Sequence, residues 1–370
     1  MQFLLEILKL TEAAVASDKT KAVAYARQLA VKLEQAGELK ASERIQRVLA
    51  GQGSGTVTAA GITQERLPVD GESRLSLADE TWIRPEDVEV FLSPESEAVT
   101  QEFLQYVEAS DRLIAEGIGV SASLLLYGPP GCGKTELART ISARLGLPLI
   151  TARADSLISS YLGSTSKNLR MLFDHVASRP CVLFLDEFDA IAKLRDDRHE
   201  LGELKRVVVS LLQNIDAVRN HTVILAATNH EHLLDPAIWR RFSYRIKVGL
   251  PSLESRLRMF QKFLGLSLPE KLLHRFAEAS EGMSGSDIRD ICEGARRAAI
   301  LQRVETSDAE VFRRILMRGV DGESLTVPEL IHRAKELHPN VFTHRVLAEA
   351  FGMSPGNITH ILKKQEEVEA

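Results

Sequence analysis

A glycine-rich stretch carries the residue types that bind a phosphate chain. It runs Gly128-Pro-Pro-Gly-Cys-Gly-Lys-Thr135 and matches the pattern G-x-x-x-x-G-K-S/T at every fixed position. Glycines let backbone N–H groups face a phosphate, and the positive end of a following helix adds to the attraction. Lys134 would neutralise the outer phosphates, and the Thr135 hydroxyl would bind Mg²⁺. The stretch predicts a nucleoside triphosphate site, with a chance glycine-rich turn as the alternative.

The residues expected to contact the nucleotide follow from this pattern and from the start of the next helix. They are Gly128, Pro129, Pro130, Gly131, Cys132, Gly133, Lys134, Thr135 and Glu136. The Cys132 thiol occupies a variable position of the loop. Oxidation there is conceivable, but we interpret this thiol as a bystander.

Two adjacent acids, Asp186 and Glu187, follow the apolar run 182–185, about 50 residues after the loop. Carboxylates at the carboxyl end of a parallel strand are costly to bury unless a cation or a proton transfer uses them. Asp186 would hold Mg²⁺ through water, and Glu187 would act as general base on the attacking water. A strand that merely ends in solvated acids is the alternative, which this spacing disfavours.

The elements that must position these residues alternate between strand and helix. The apolar runs predicted to be strands are 123–127, 147–151, 181–185, 222–227 and 244–248, with helical stretches between them. Such alternation predicts an α/β fold of the P-loop NTPase type, with a five-stranded parallel sheet and helices on both faces.

The chain divides into five predicted segments. They are a helical N-terminal hairpin at 1–50, a linker at 51–94, the ATPase-like core at 95–250, an α-helical lid at 251–320 and a C-terminal three-helix segment at 321–370. Gly37 would break the hairpin. So small a hairpin buries little apolar surface alone, and we interpret it as an adaptor that docks on something else.

Composition excludes several classes of protein. The chain has 370 residues, of which 44% are hydrophobic and 26% charged, as in ordinary globular proteins. Its net charge of −5 argues against a protein that coats nucleic acid, although it leaves room for a local basic patch. No apolar run approaches the roughly 20 residues of a membrane span, and residues 1–10 predict a helix rather than a secretory signal. Three widely separated cysteines favour the reducing cytoplasm.

Four motifs, taken in order, resemble the AAA ATPases, in the subgroup that carries the second region of homology. They are 126–135, 184–190, 226–229 and 234–242, within a similarity that covers about residues 95 to 305. The resemblance implies ATP hydrolysis in a hexameric ring, with each ATP site at a boundary between subunits.

The resemblance also implies roles for three polar residues. Asn229 resembles sensor 1, whose amide would hydrogen-bond the attacking water or the γ-phosphate; the alternative is an Asn that caps the next helix. Arg240 and Arg241 resemble paired arginine fingers that reach a neighbouring subunit's site. The family usually separates the two by a Pro-Gly pair, which is missing here. Without the resemblance, they would be a surface pair that covers apolar area.

A further motif, 282–288, resembles the start of the family's lid helix beside the adenine and implies that Gly285 and Ser286 touch the nucleotide. No arginine occupies the sensor 2 position, as in this subgroup. The paired glycine that often marks the adenine pocket is not found upstream of the loop.

The family's pore loop corresponds to a segment that contains Tyr161 and Leu162. An aromatic side chain there would grip an extended polypeptide through its apolar face; a tyrosine packed on its own domain is the alternative. The charged stretch 195–200 is either a second pore loop or a solvated loop.

Near the C-terminus, 343–362 resembles a helix-turn-helix, with Gly352 closing one helix and Ser354 capping the next. A DNA reader would present Asn357, Thr359, His360 and Lys363 to the major groove. Residues 341–370 hold three basic and four acidic side chains, which disfavours DNA contact relative to protein docking or a structural bundle.

The motifs leave two main candidate functions for the chain. The first is a hexameric ATPase that remodels a protein partner. It could feed that partner to a protease, which would be separately encoded because the chain has no H-E-x-x-H protease motif. The second is a DNA-associated loader, initiator or regulator. A slow nucleotide switch is a third possibility, which Glu187 and the two arginines disfavour.

Overall fold

The structure is a computed structural model, and its described residues are 3–15, 19–50, 67–69, 76–153, 157, 162–192, 201–218, 222–265, 268–318 and 326–369. They divide into two units. The first holds Met1–Val90, Pro94–Gly128 and Lys134–Val248, and the second holds Phe91–Ser93, Pro129–Gly133 and Gly249–Ala370. No described helix combines the length and the apolar composition that a bilayer crossing requires.

The first unit is built on a sheet of buried apolar strands. The strands are β1 (Asp79–Thr81), β2 (Ser123–Tyr127), β3 (Leu149–Arg153), β4 (Val182–Asp186), β5 (Val223–Thr228) and β6 (Tyr244–Lys247). Their order across the sheet is β1-β3-β4-β5-β2-β6, and β2 to β6 run parallel. Central strands are covered on both faces, which is why they are continuous apolar runs in the sequence. The predicted parallel α/β sheet is confirmed.

Within the described residues, the sheet has one strand more than the five predicted. β1 pairs antiparallel to β3, with Glu80 opposite Ile150. Arg179 fixes this edge strand, because its two terminal nitrogens donate to the Glu80 carboxylate at 3.1 and 2.7 Å. Three largely polar residues show no apolar period, so β1 was hidden in the stretch that the sequence assigned to a linker.

Helices cover both faces of the sheet. Those between the strands are α4 (Pro94–Glu108), α5 (Ser110–Ala115), α6 (Lys134–Leu145), α7 (Leu162–Ala177), α8 (Asp189–Ala192), α9 (Leu201–Val218) and α10 (Pro236–Trp239). One core combines β-strand residues with Phe173 of α7 and Leu211 of α9. α6 contacts β4 and β5, and α4 contacts α6 and β6, which places this pair on the other face.

Among its described residues, the N-terminal segment has three helices where a two-helix hairpin was predicted. They are α1 (Leu4–Val15), α2 (Lys19–Gln35) and α3 (Leu39–Ala50), with a turn at Gly37. The Lys32 ammonium donates to the buried Glu6 carboxylate at 2.6 Å and joins α2 to α1. Both residues line a cavity of about 150 Å³ with Ala122 and Val223. The N-terminal helices therefore lie at the amino ends of the strands.

The second unit is helical. Its helices are α11 (Leu253–Leu264), α12 (Glu270–Ala279), α13 (Gly285–Gln302), α14 (Asp308–Arg318), α15 (Val327–Leu337), α16 (His344–Phe351) and α17 (Pro355–Glu369). Aromatic rings link the early and late helices, because Phe276 contacts Phe312 and Phe312 contacts Phe342. One apolar core runs from Phe260 to Ile358, so the last three helices pack with the four before them.

Candidate functional site

Three neighbouring strands of the first unit lead into polar residues at one edge of the sheet. β2 leads into Gly128, β4 ends at Asp186 and is followed by Glu187, and β5 leads into Asn229. Since β4, β5 and β2 are adjacent and parallel, these ends lie side by side. The sequence motifs that lie far apart along the chain thus meet at the carboxyl edge.

Gly128 begins the glycine-rich loop in a conformation that only glycine adopts without strain. Its φ is 138°, and a Cβ atom there would overlap the carbonyl oxygen of Val248. The buried Lys134 ammonium donates to the Gly128 carbonyl oxygen at 2.7 Å. This hydrogen bond joins the first residue of the loop to the lysine at the start of α6. The N–H groups of a helix start favour anions.

The middle of the loop, Pro129–Gly133, belongs to the second unit and contacts the turn before α13. Gly131 has a φ of 73°, and a Cβ atom there would overlap the Ser286 hydroxyl and lie 2.7 Å from the Ser284 hydroxyl. The Ser286 N–H donates to the Gly131 carbonyl oxygen at 3.0 Å. A Cβ atom at Gly285 would lie 3.4 Å from the same oxygen. Gly285 and Ser286 thus lie directly against the loop.

Ser284 is a residue of this turn that the sequence analysis missed. Its hydroxyl accepts from the Asp287 N–H at 3.2 Å, and the Ser284 N–H donates to the Asp287 carboxylate at 2.9 Å. This reciprocal pair is a capping box, and its S-x-x-D spacing was the signal that could have identified it. Cys132 is buried in the loop, with its sulfur 3.7 Å from the Pro130 carbonyl oxygen.

Thr135 and Asp186 are close enough to share a cation. The Thr135 hydroxyl donates to the Asp186 carboxylate at 3.2 Å, so a cation bound by the hydroxyl would have this carboxylate within reach of its water ligands. A hydroxyl and a carboxylate are oxygen donors of the kind that Mg²⁺ takes from proteins, with phosphate oxygens and water as further ligands. The residues present therefore fit a magnesium site.

Glu187 has an unusual backbone and an exposed side chain. Its φ is 52°, a conformation that is uncommon for residues other than glycine and often marks functional positions. Its N–H donates to the Asp186 carboxylate at 2.9 Å. In the part of the chain that the structure describes, no group hydrogen-bonds the Glu187 carboxylate, which leaves it able to accept a proton.

Asn229 follows β5 and is half-buried. Its backbone N–H lies 3.4 Å from the Asp189 carboxylate, which also accepts from the Thr228 hydroxyl at 3.0 Å. The cap of the following helix α10 is Asp235, whose carboxylate accepts from the Ala237 N–H. The Asn229 side chain is therefore not used as that cap.

Arg240 and Arg241 lie at the opposite edge of the sheet. The carbonyl oxygen of Arg241 accepts from the Ser123 hydroxyl at 3.0 Å, and Ser123 is the first residue of β2. Thr135 instead follows the last residue of β2, at the carboxyl edge. The five residues of β2 span roughly 13 Å, nearly twice the length of an extended arginine side chain. The Arg241 guanidinium, which pairs with Asp216 near the end of α9, therefore lies toward the amino edge, and Arg240 is its neighbour along the chain.

The two arginines differ in their surroundings. The Arg241 guanidinium donates to the Asp216 carboxylate at the end of α9, at 2.9 Å. Arg240 is exposed, and its guanidinium has no hydrogen-bond or ion-pair partner among the described residues. Arg240 is thus the one whose charge is free for another molecule.

The predicted pore residue Tyr161 and the stretch 195–200 lie outside the described residues. Leu162 begins α7. On α17, Asn357, His360 and Lys363 are exposed. Thr359 differs, because its hydroxyl bonds the Pro355 carbonyl oxygen and the His344 ring.

Comparisons with known proteins agree with this geometry. Residues 124–250 match the family model described as ATPase family associated with various cellular activities (AAA). An uncharacterized AAA family ATPase of Sinorhizobium fredii is 39% identical over 232 residues, which cover 62% of this chain and 69% of the relative.

Two further relatives are matched over a smaller share of their own length. A protein of Methanocaldococcus jannaschii, named as a 26S proteasome regulatory subunit homologue, is 37% identical over 49% of this chain and 50% of its own length. A protein of Plasmodium falciparum, named as a cell division cycle ATPase, is 37% identical over 49% of this chain and 15% of its own length. The loop, the adjacent acids and these similarities together identify the chain as a member of the AAA ATPases, which bind and hydrolyse ATP.

Proposed function

We propose that this chain assembles into a hexameric ring in which each ATP site is completed by Arg240 of the neighbouring copy, and that the ring remodels a protein partner in the cytoplasm. The observation that carries the proposal is the placement of Arg240 at the edge of the sheet opposite to Asp186 and Glu187. Arg240 is exposed, has no partner among the described residues, and would be available to a second copy.

The loop and its neighbours would bind the triphosphate. Lys134 and the backbone N–H groups from Gly131 to Glu136 would surround the phosphates, and Gly285 and Ser286 would contact the nucleotide. Thr135 and Asp186 would hold Mg²⁺. When bound, this ion neutralises charge on the phosphate oxygens.

Glu187 would act as the general base. Its exposed carboxylate takes a proton from the water that attacks the γ-phosphorus, while the bond between that phosphorus and the β-phosphate oxygen breaks, giving ADP and phosphate. The Asn229 amide would orient this water, because an amide hydrogen-bonds without competing for the proton. Arg240 from the neighbouring copy would stabilise the charge on the transferring phosphoryl group.

The dependence of the rate on assembly tests the shared site. We expect the ATPase rate per subunit to rise with protein concentration through the range in which subunits associate. A rate per subunit that stays high and constant down to concentrations at which the chain is monomeric would contradict the proposal.

Protein remodelling is supported by the sequence at the predicted pore loop and by one relative. The archaeal relative is named as a homologue of a proteasome regulatory subunit, and Tyr161 and Leu162 match the family's pore position. The free, buried cysteines are compatible with a reducing compartment. The N-terminal helices would serve as the adaptor for a substrate or for a separately encoded protease.

A substrate trap tests this part of the proposal. Glu187→Gln should bind ATP, stall and retain its protein partner in a pull-down, whereas Glu187→Gln combined with Lys134→Ala should release it. The Tyr161→Ala variant should hydrolyse ATP yet fail to unfold the captured partner. Normal unfolding by that variant would remove the pore mechanism.

DNA contact by the C-terminal helices is the second candidate. The exposure of Asn357, His360 and Lys363 on α17 favours it. A gel-shift assay at two salt concentrations separates the candidates, because phosphate contacts impose a steep dependence on salt. A salt-sensitive shift that Lys363→Ala weakens would support DNA binding, and the absence of a shift at low salt would exclude it.

A further inference from the structure

The turn before α13 lies against the glycine-rich loop through a short chain of polar contacts. The Ser286 N–H donates to the Gly131 carbonyl oxygen at 3.0 Å. The Ser286 and Ser284 hydroxyls lie 3.0 Å apart. These hydroxyls lie so close to Gly131 that a Cβ atom there would overlap them. A small displacement of the turn would therefore change the shape of the loop.

One oxygen of the Asp287 carboxylate holds this turn. Oδ2 accepts from the Ser284 N–H at 2.9 Å and from the Ser284 hydroxyl at 2.7 Å. Because the Ser284 hydroxyl donates to Asp287, the Ser286 hydroxyl must donate to Ser284. The direction of every hydrogen bond from Asp287 to Gly131 is therefore fixed.

The second oxygen of Asp287 is held by Arg318, the last residue of α14. The Arg318 Nε donates to Asp287 Oδ1 at 2.8 Å, and its Nη2 donates to Asp290 Oδ2 at 2.9 Å. One guanidinium thus joins two carboxylates that lie one turn apart on α13. Its planar, forked shape suits this arrangement in a way that a lysine ammonium does not.

Asp287 and Arg318 remain charged near neutral pH. Burial raises the pKa of Asp287, but the hydrogen bonds from Ser284 and Arg318 outweigh burial and leave that pKa below its usual range. The hydrogen bond to Asp287 raises the pKa of Arg318 above its usual value. The clamp is therefore a charge-assisted contact rather than a neutral one.

We infer that Arg318 is a positioning residue for nucleotide binding, which acts through Asp287 to hold Ser284 and Ser286 against Gly131. The inference rests on the proposed role of this loop and turn in contacting the nucleotide. The polar contacts of Arg318 in the described part of the chain go to Asp287 and Asp290 rather than to the loop, so its effect would pass through the Asp287 carboxylate. Its loss should loosen the turn, weaken nucleotide binding and leave the chemical step unchanged.

The position of Arg318 makes the test practicable. Its side chain is 43% exposed, on the wall of an open groove of about 380 Å³ that Arg313 and Met317 also line. A half-exposed arginine can be removed without opening a cavity in the core. Arg313 supplies a matched control, because it lies on the same helix, is 52% exposed and, among the described residues, pairs with Glu310 of that helix alone, at 3.8 Å.

The experiment measures a fluorescent ADP analogue and steady-state ATP hydrolysis on the full chain. Arg318→Ala should raise the Kd of the analogue and the KM for ATP by about three- to ten-fold, with kcat within about two-fold. Arg318→Lys should recover part of the affinity. Asp290→Asn, which removes one anchor of Arg318 without touching Ser284, should raise Kd by about two-fold. Arg313→Ala should change neither constant.

The outcomes separate this inference from the proposed function. Unchanged Kd and KM in Arg318→Ala, even with a lower melting temperature, would show that Arg318 only stabilises the helices and would overturn the inference. An equal change in Arg313→Ala would overturn it as well. Should Arg318→Ala fail to fold, an unchanged Kd in Asp290→Asn would decide against it. Failure of the parent chain to bind the analogue, by contrast, would refute the nucleotide site itself.

Discussion

The two edges of the sheet use charged residues in different ways. At the carboxyl edge, the Glu187 carboxylate is exposed and accepts no hydrogen bond from any described group. At the amino edge, the Glu80 side chain is 5% exposed and bound by two nitrogens of Arg179, and Glu6 is buried and bound by Lys32. Charges that are already paired keep the fold together, whereas charges left open are available for a substrate.

Arg240 is the exception at the amino edge, because it is exposed and has no partner among the described residues. In the proposed mechanism, the carboxyl edge would supply a base and a metal site, and the segment of Arg240 would supply a cation. Each would then hold half of what phosphoryl transfer requires. This comparison predicts that changes at open charges alter turnover, and that changes at paired charges alter stability.

The largest effect should follow from Arg240→Ala. We expect kcat for ATP to fall by about 10³- to 10⁵-fold, because a guanidinium no longer stabilises the transferring phosphoryl group. The affinity for ADP and the melting temperature should stay as they are. Arg245→Ala is the comparison, because Arg245 is exposed on β6 but is engaged by Trp239, over whose ring it packs at 5.4 Å and to whose carbonyl oxygen it donates at 2.6 Å. Comparable losses in the two variants would count against a specific role for Arg240.

Glu187→Gln should lower kcat by about 10²- to 10⁴-fold, since glutamine cannot accept a proton from the attacking water. Binding of ATP, followed with a fluorescent analogue, should persist. The side chain is exposed and forms no contact that the amide would break, so the melting temperature should not move. Turnover at the parental rate would show that another group is the base.

Glu80→Ala should behave in the opposite way. It leaves the Arg179 guanidinium buried without its carboxylate, which costs about 3–5 kcal/mol of the free energy of unfolding for a buried pair. The side chains of Arg179 and Glu80 are 16% and 5% exposed, so water screens the pair little. Urea denaturation would measure the loss, and ATP turnover per folded molecule should change little. An unchanged denaturation midpoint would contradict a structural role for the pair.

Arg241→Ala should have the smallest effect on turnover, about ten-fold or less. The Arg241 guanidinium is engaged by Asp216 on its own chain, and the pair is about one third exposed. We expect it to orient the segment that carries Arg240 rather than to reach the phosphate. Steady-state kinetics on Arg241→Ala beside Arg240→Ala would sharpen the division. A greater loss in Arg241→Ala would reverse the two roles.

The sequence predicted the parts of the molecule whose residue types are dictated by chemistry. Phosphate binding requires glycines, a lysine and a hydroxyl at set spacing, so the loop from Gly128 to Thr135 was recognisable without a structure. The buried strands were recognisable as well, because parallel strands covered on both faces are short apolar runs. Their predicted bounds lie within two residues of those observed.

What the sequence could not predict depends on contacts between distant segments. β1 has only three residues and owes its place to Arg179, 99 residues away from Glu80. The need for glycine at position 128 comes from Val248, which directly follows β6 and whose carbonyl oxygen a Cβ atom at Gly128 would overlap. The ion pair between Arg318 and Asp287 joins positions 31 residues apart. No local sequence pattern predicts such contacts, because neither partner alone differs from its neighbours in residue type in a way that identifies the other.

If two copies share each catalytic site, two inactive variants should restore each other's activity when they are mixed. Glu187→Gln retains Arg240, and Arg240→Ala retains Glu187. In an equal mixture that assembles at random, about a quarter of the subunit boundaries combine an intact base with an intact arginine. ATP hydrolysis by the mixture should lie well above that of either variant alone. A mixture that forms mixed assemblies yet hydrolyses no faster than its two components would contradict it.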